Sequence, residues 1–173
     1  MNEERDLRKH KKGILITLAI TLLLVLCIFL IFDSVSVVGV SMQPNYNATG
    51  NTDKVIISRI YGLGYGDVVV FYNSKLNENL IKRVVGLEGD VISIMDGKLF
   101  RNGKQVTENY IKEPMNHGFD GSSWKVGKGQ VFVMGDNRNN SEDSRVLGAI
   151  NKSDILGEVI IKVDYSNGKI YFI

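Results

Sequence analysis

The sequence predicts an all-β domain, a curled sheet or partly open barrel, preceded by one N-terminal transmembrane helix. Three observations carry that expectation. No charged residue occurs from Ile14 to Phe32. The chain beyond it breaks into short runs of Val, Ile, Phe and Tyr punctuated by glycine, which is the texture of strands and turns. Nothing outside the first stretch sustains helical periodicity.

The uncharged stretch holds 19 residues. As a helix rising about 1.5 Å per residue it spans roughly 29 Å, against about 30 Å for the hydrocarbon core of a bilayer. Its only hydroxyls, Thr17 and Thr21, can return their protons to the helix's own carbonyls. Arg5, Arg8, Lys9, Lys11 and Lys12 precede the stretch, and Asp33 follows it. Positive flanks stay in the cytoplasm, so residues 1–12 are expected to form a cytoplasmic tail, 13–32 to cross the membrane, and 33–173 to lie on the outer face. The alternative is a cleaved secretory leader, with Ser34-Val35-Ser36 as its small-residue site. The apolar run is longer than the roughly 7–15 residues usual for such leaders.

In the outer region strands are expected at Val35–Val40, Lys54–Arg59, Asp67–Tyr72, Asn79–Gly86, Val91–Met95, Lys98–Arg101, Val131–Met134, Glu158–Val163 and Lys169–Ile173. Asp96-Gly97 and Asn102-Gly103 are hairpin signals, because both residues of such turns take positive φ. Residues 102–128 read as a polar loop with room for one short strand, and Asn151–Leu156 as a helical turn. Tyr46, Phe119 and Trp124 fit core packing, with a membrane-interface role as the alternative.

Composition excludes several classes. About 44% of residues are hydrophobic and two are proline, which is not a disordered chain. The net charge of +2 does not call for nucleic acid. The one cysteine, Cys27, cannot form an intramolecular disulfide and sits in the apolar run, where it reads as a small hydrophobe. No cluster has metal-ligand spacing, so no cofactor is expected.

Three places carry unusual chemistry. At Gly39-Val40-Ser41-Met42-Gln43-Pro44 a strand ends on a serine before a turn, where a nucleophile finds exposure and free backbone N–H groups; taken alone, the stretch reads first as an ordinary turn serine. On a strand Lys82 shares a face with Leu80 and Val84, while Arg83 points away. Burial lowers a lysine's pKa, and a neutral amine is a competent base for a serine hydroxyl; the alternative is a snorkelling lysine at a sheet edge. The third place, Met134 to Arg145, is a dense polar loop in which Asp136, Arg138, Asp143 and Arg145 can form ion pairs and Ser141 and Ser144 offer hydroxyls. Two arginines among its carboxylates argue against a Ca²⁺ loop.

Together these places resemble the type I signal peptidase (leader peptidase) family. The likeness runs in order through the anchor, Ser41-Met42-x-Pro44, Gly66-Asp67-Val68-Val69-Val70-Phe71, Lys82-Arg83-Val84-x-Gly86-x-x-Gly89-Asp90, and Gly135-Asp136-Asn137-x-x-Asn140-Ser141-x-Asp143-Ser144-Arg145. Its short, cysteine-poor form is similar to those of Gram-positive bacteria.

The resemblance implies a membrane-bound serine endopeptidase that removes signal peptides from exported preproteins after small-x-small sites. Ser41 is then the nucleophile, Lys82 the general base, Ser141 a second serine bonding the lysine amine, and Asp143 with Arg145 a brace. Met42, Ile81 and Gly39 line the substrate cleft. The family's oxyanion-binding hydroxyl, two residues before the nucleophile, is replaced by Gly39, which leaves the backbone N–H of Ser41. The implied partners are preproteins and the lipid bilayer, without nucleic acid, metal or other cofactor. A histidine base at His117, a self-cleaving Ser–Lys hydrolase, and a non-catalytic membrane-tethered β-module binding exported or envelope proteins are the competing readings.

Overall fold

A computed structural model describes residues 2–48, 52–165 and 167–173. Helix α1 runs Asn2–Ile31, and its segment His10–Ile31 is apolar and long enough to cross a membrane, with none of its most apolar window buried in the protein. Thr17 Oγ1 donates to the Gly13 carbonyl at 3.1 Å and Thr21 Oγ1 to that of Thr17 at 3.0 Å, so both hydroxyls are satisfied inside the helix.

The helix passes without a linker into β1, Phe32–Ser36. The strand therefore starts three residues earlier than expected and stops before Val40. Two features end it. Gly39 takes φ +87°, and Asn47 Nδ2 captures the carbonyls of Val37 (2.7 Å) and Gly39 (3.0 Å), so a side chain supplies what a partner strand would have supplied. The chain continues through β2 (Lys54–Ser58), β3 (Val68–Asn73), β4 (Glu78–Gly86), β5 (Val91–Met95), β6 (Lys98–Arg101), β7 (Lys104–Gln105), β8 (Ser123–Lys125), β9 (Gln130–Met134), helix α2 (Ser144–Leu147), β10 (Ile150–Asn151), β11 (Ile155–Asp164) and β12 (Lys169–Phe172). The polar 102–128 segment thus holds two short strands rather than one, and the expected helical turn is a 3₁₀ turn at Lys152–Asp154.

Eight strands form one sheet in the order β1-β2-β11-β3-β4-β9-β10, with β12 on β11; β7-β6-β5-β8 form a second. Both hairpin signals behave as read: Asp96 and Gly97 take φ 49° and 66°, Asn102 and Gly103 54° and 76°. The second sheet packs on the first through Ile92, Ile94 and Leu99 against Val85, Phe132 and Met134. Gly86 permits that approach, because a Cβ there would lie 2.8 Å from Ile92 Cδ1 and 3.1 Å from Phe132 Cβ. Trp124 and Phe119 pack against this cluster, with the Trp124 and Phe132 rings 5.3 Å apart. Tyr46 is buried in the cluster around Met42, Val55 and Ile57. All three aromatics are therefore packing residues.

Candidate active site

The site forms where β4 leaves the protection of its neighbours. β3 pairs with β4 from Glu78 to Arg83, but β9 pairs with it only from Arg83 onward. Among the described strands the other edge of residues 78–82 is unpaired. Lys82 lies on this stretch and is 2% exposed. Its Nζ donates to Ser41 Oγ at 2.9 Å and to the Ile81 carbonyl at 2.9 Å. Burial is the largest influence on the amine and lowers its pKa from 10.5 to about 8, against the opposing pull of Asp143, Glu78, Glu142 and Asp136. A buried lysine loses the water that stabilises its ammonium form.

Ser41 is half-buried and sits in a short coil after β1, in which Gln43 N donates to the Val40 carbonyl and Tyr46 N to that of Met42. The polar loop holds this coil in place. Asn137 N donates to the Ser41 carbonyl at 2.9 Å, and Asn137 Nδ2 to that of Val40 at 3.1 Å. The loop comes so close that a Cβ on Gly135 would lie 2.5 Å from the Ser41 carbonyl oxygen and 2.2 Å from Ser141 Oγ.

Asp143 organises the loop. It is fully buried and accepts from Gly135 N (3.0 Å), Ser141 Oγ (2.8 Å), Arg145 Nε (2.8 Å) and an Arg145 terminal nitrogen (2.8 Å), while also capping α2. Arg145 continues to the Arg138 carbonyl at 2.7 Å. The Ser141 hydroxyl thus gives its proton to Asp143, whose charge makes it the stronger acceptor. Ser141 retains lone pairs, but the hydrogen bonds of the Lys82 amine go to Ser41 and Ile81.

The expectation that Asp136, Arg138, Asp143 and Arg145 pair among themselves is met only by Asp143 and Arg145. Asp136 instead takes Arg83 through two bonds of 2.8 and 2.6 Å, and Asn45 Nδ2 joins it at 2.8 Å. Arg138, fully buried, binds Glu108 through both terminal nitrogens. Arg83 and Asp136 are 53 positions apart, Arg138 and Glu108 30, so local sequence carried no signal for either pair. The opposite facing of Arg83 and Lys82 was the one usable hint.

A groove of about 340 Å³ leads to the dyad, lined among others by Val38, Gly39, Ser41, Ile81 and Lys82. Ile81 and Gly39 thus stand on its wall. Met42 does not: it is 2% exposed and packs inward with Val37 and Ile81, because the coil after Ser41 turns it into the core. Gly39 has open space beside it, and its positive φ disfavours any residue with a side chain. His117 is exposed and paired with Asp120 at 2.5 Å, in the excursion beside the second sheet. Among the described residues no His, Cys, Asp and Glu group could hold a metal.

The family described as "Signal peptidase, peptidase S26" matches residues 10–164. Signal peptidase I P of Bacillus subtilis subsp. natto is 35% identical over 170 residues, covering 88% of this chain and 90% of that protein. Signal peptidase I of Bacillus licheniformis is 34% identical over 166 residues, covering 90% and 88%. A crystal structure of a signal peptidase I from Enterococcus faecalis V583 aligns with TM-score 0.48 and 25% identity, covering 57% of this chain and 97% of that one. The ordered motifs, and the matches that run nearly the length of the chain, make it a member of the peptidase S26 family of signal peptidases.

Proposed function

We propose that the chain is a membrane-anchored serine endopeptidase in which Ser41 is the nucleophile and Lys82 the general base, removing signal peptides from exported preproteins after small-x-small sites. Family membership makes the chain a protease of the signal-peptide-processing class; the residue roles, cleavage rule and membrane topology are the proposal. One observation carries it: a buried lysine amine at 2.9 Å from a serine hydroxyl with its pKa drawn down to about 8.

In the neutral amine the hydrogen bond reverses, and Ser41 O–H donates to the Nζ lone pair. Ser41 Oγ attacks the scissile carbonyl as its proton passes to Nζ. The oxyanion takes the backbone N–H of Ser41. Collapse of the tetrahedral intermediate breaks the C–N bond, and the ammonium of Lys82 protonates the leaving amine. Lys82, neutral again, takes a proton from water as the hydroxide attacks the acyl ester, and Ser41 leaves with that proton. Ser141, Asp143 and Arg145 support the dyad by fixing the loop that carries Ser41's neighbours.

The preprotein lies extended in the groove along the unpaired edge of β4, a strand added by main-chain hydrogen bonds, with Ile81 and Gly39 against its side chains. The anchor at residues 13–32 leaves 1–12 in the cytoplasm and 33–173 on the outer face, as the basic flank requires. Supporting retention of the anchor, Ser34-Val35-Ser36 is paired into the sheet opposite Ile56, Val55 and Lys54.

The test is cleavage of a model preprotein in membrane vesicles by wild type, Ser41→Ala and Lys82→Ala. Each variant is expected to lose cleavage by ~10³-fold or more, since dyad members act as a unit. Cleavage retained by Lys82→Ala but lost in His117→Ala would make the histidine the base. Unchanged cleavage by Ser41→Ala would leave only a tethered binding module.

A further inference from the structure

We infer that Glu78 gives the substrate groove a charge preference, favouring a basic side chain at the fifth residue before the cut and rejecting an acidic one there. The inference rests on the proposed peptidase reading and deepens it.

Two stretches of backbone run side by side toward the dyad, residues 35–39 leaving β1 and residues 78–82 of β4, and both line the groove. Strand residues two apart share a face, so Glu78, Leu80 and Lys82 lie on one face of β4. Lys82 meets Ser41 at one end of this row. Glu78, exposed, stands at the other, four residues away, about 13 Å along a strand. A peptide laid extended beside β4, with its scissile bond at Ser41, advances by the same rise. Laid parallel to β4, with the residue before the cut level with Lys82, it brings its fifth residue before the cut level with Glu78; that direction is part of the inference.

The wall between the two ends is largely apolar: Val35, Val37, Val38, Val70, Leu80 and Ile81. Among the lining residues Glu78 carries the only carboxylate. The ion pairs among the described residues leave it without a cation. The field of Glu78 reaches along the groove as far as the Lys82 amine. A substrate side chain lying between or beside them is subject to that field at shorter range. An arriving Lys or Arg gains a partner, whereas an Asp or Glu meets a like charge beside an apolar wall where solvation is reduced.

The experiment uses the full chain in detergent micelles and soluble peptides spanning one cleavage site, identical except for Lys, Gln or Glu at the fourth, fifth or sixth residue before the cut. The readout is the ratio of kcat/KM for the Lys and Glu peptides within each enzyme, so a general change in activity cancels. Wild type is expected to favour Lys over Glu at the fifth residue by about tenfold at low salt, the scale of one attractive and one repulsive partly exposed charge pair. The ratio should shrink as the Debye length contracts, approach one in Glu78→Gln, and invert in Glu78→Lys. Ratios indifferent to both substitutions, or a preference that survives high salt unchanged, overturn the inference while leaving the peptidase reading intact. Cleavage of every peptide by Ser41→Ala at the wild-type rate removes the peptidase reading itself.

Discussion

Replacing Lys82 by methionine should abolish cleavage and at the same time stabilise the protein at neutral pH. The amine is buried and its pKa falls from 10.5 to about 8. The unfolded chain holds its proton up to about 10.5, so between those values the unfolded state binds more protons and stability rises with pH. Below about 8 the folded state bears the full penalty of a buried ammonium. A fall of about 2.5, at about 1.4 kcal/mol per pH unit, makes that penalty roughly 3 kcal/mol. Methionine keeps the apolar stem and removes the titration, but gives up the bonds to Ser41 Oγ and the Ile81 carbonyl, together worth about 2 kcal/mol net. The variant should therefore be more stable by about 1 kcal/mol at pH 7 and less stable than wild type by about 1 kcal/mol at pH 10. Denaturant unfolding of both proteins in micelles at pH 7, 8, 9 and 10 measures this. Wild-type cleavage should rise about tenfold per pH unit below about 8 and level off above it. Stability curves that stay parallel from pH 7 to 10 would show that the amine titrates at its ordinary value, and the argument for a lysine base would fall with them.

Three other perturbations probe the scaffold. Gly135→Ala places a Cβ 2.2 Å from Ser141 Oγ and 2.5 Å from the Ser41 carbonyl; single-turnover assays should show a fall of about 10²-fold in the chemical step, the scale of a 1 Å misplacement. Arg145→Met leaves the Asp143 carboxylate uncompensated near Lys82, so the pH–activity midpoint should move to higher pH by about one unit, and Arg145→Lys should restore part of it. A Gly-Ser-Gly insertion between Ile31 and Phe32 uncouples α1 from β1, where Arg59 N and a terminal nitrogen of Arg59 now bond the Ile31 and Leu30 carbonyls at 2.8 and 3.2 Å. Processing of a membrane-embedded preprotein should drop about tenfold from the lost orientation, with soluble peptide cleavage retained; equal loss on both substrates would refute the orienting role of the junction.

Local pattern made the apolar N-terminal helix, most strand positions and both hairpin turns legible, because each follows from a few neighbouring residues. The same pattern separated Lys82 from Arg83 by face. It could not bring Lys82 to Ser41, which is 41 positions away; the family resemblance supplied that expectation. The misses share one cause, which is long-range partners outcompeting local ones. Asn47 takes carbonyls that a longer β1 would have used, Arg83 and Glu108 claim charges expected to pair within the loop, and a single turn after Ser41 sends Met42 into the core instead of the groove.

One long-range pair, Arg83 with Asp136, and one local pair, Arg145 with Asp143, bear on how a lysine beside four carboxylates could serve as the proposed base. Asp143, Glu78, Glu142 and Asp136 all favour the ammonium form. Left unmatched in a dry interior, the buried pair Asp136 and Asp143 would keep the amine charged and useless as a proton acceptor. Each is instead matched by an arginine, Arg83 for Asp136 and Arg145 for Asp143, while Glu78 and Glu142 are exposed, where water weakens their pull on the amine without removing it. No buried side-chain nitrogen or oxygen among the described residues lacks a partner, so the network cancels its own charge without leaving a new one. What remains at Nζ is chiefly the loss of water. Burial thus outweighs the pull of the four carboxylates and decides the sign of the shift, while the arginines offset two of those charges where they sit.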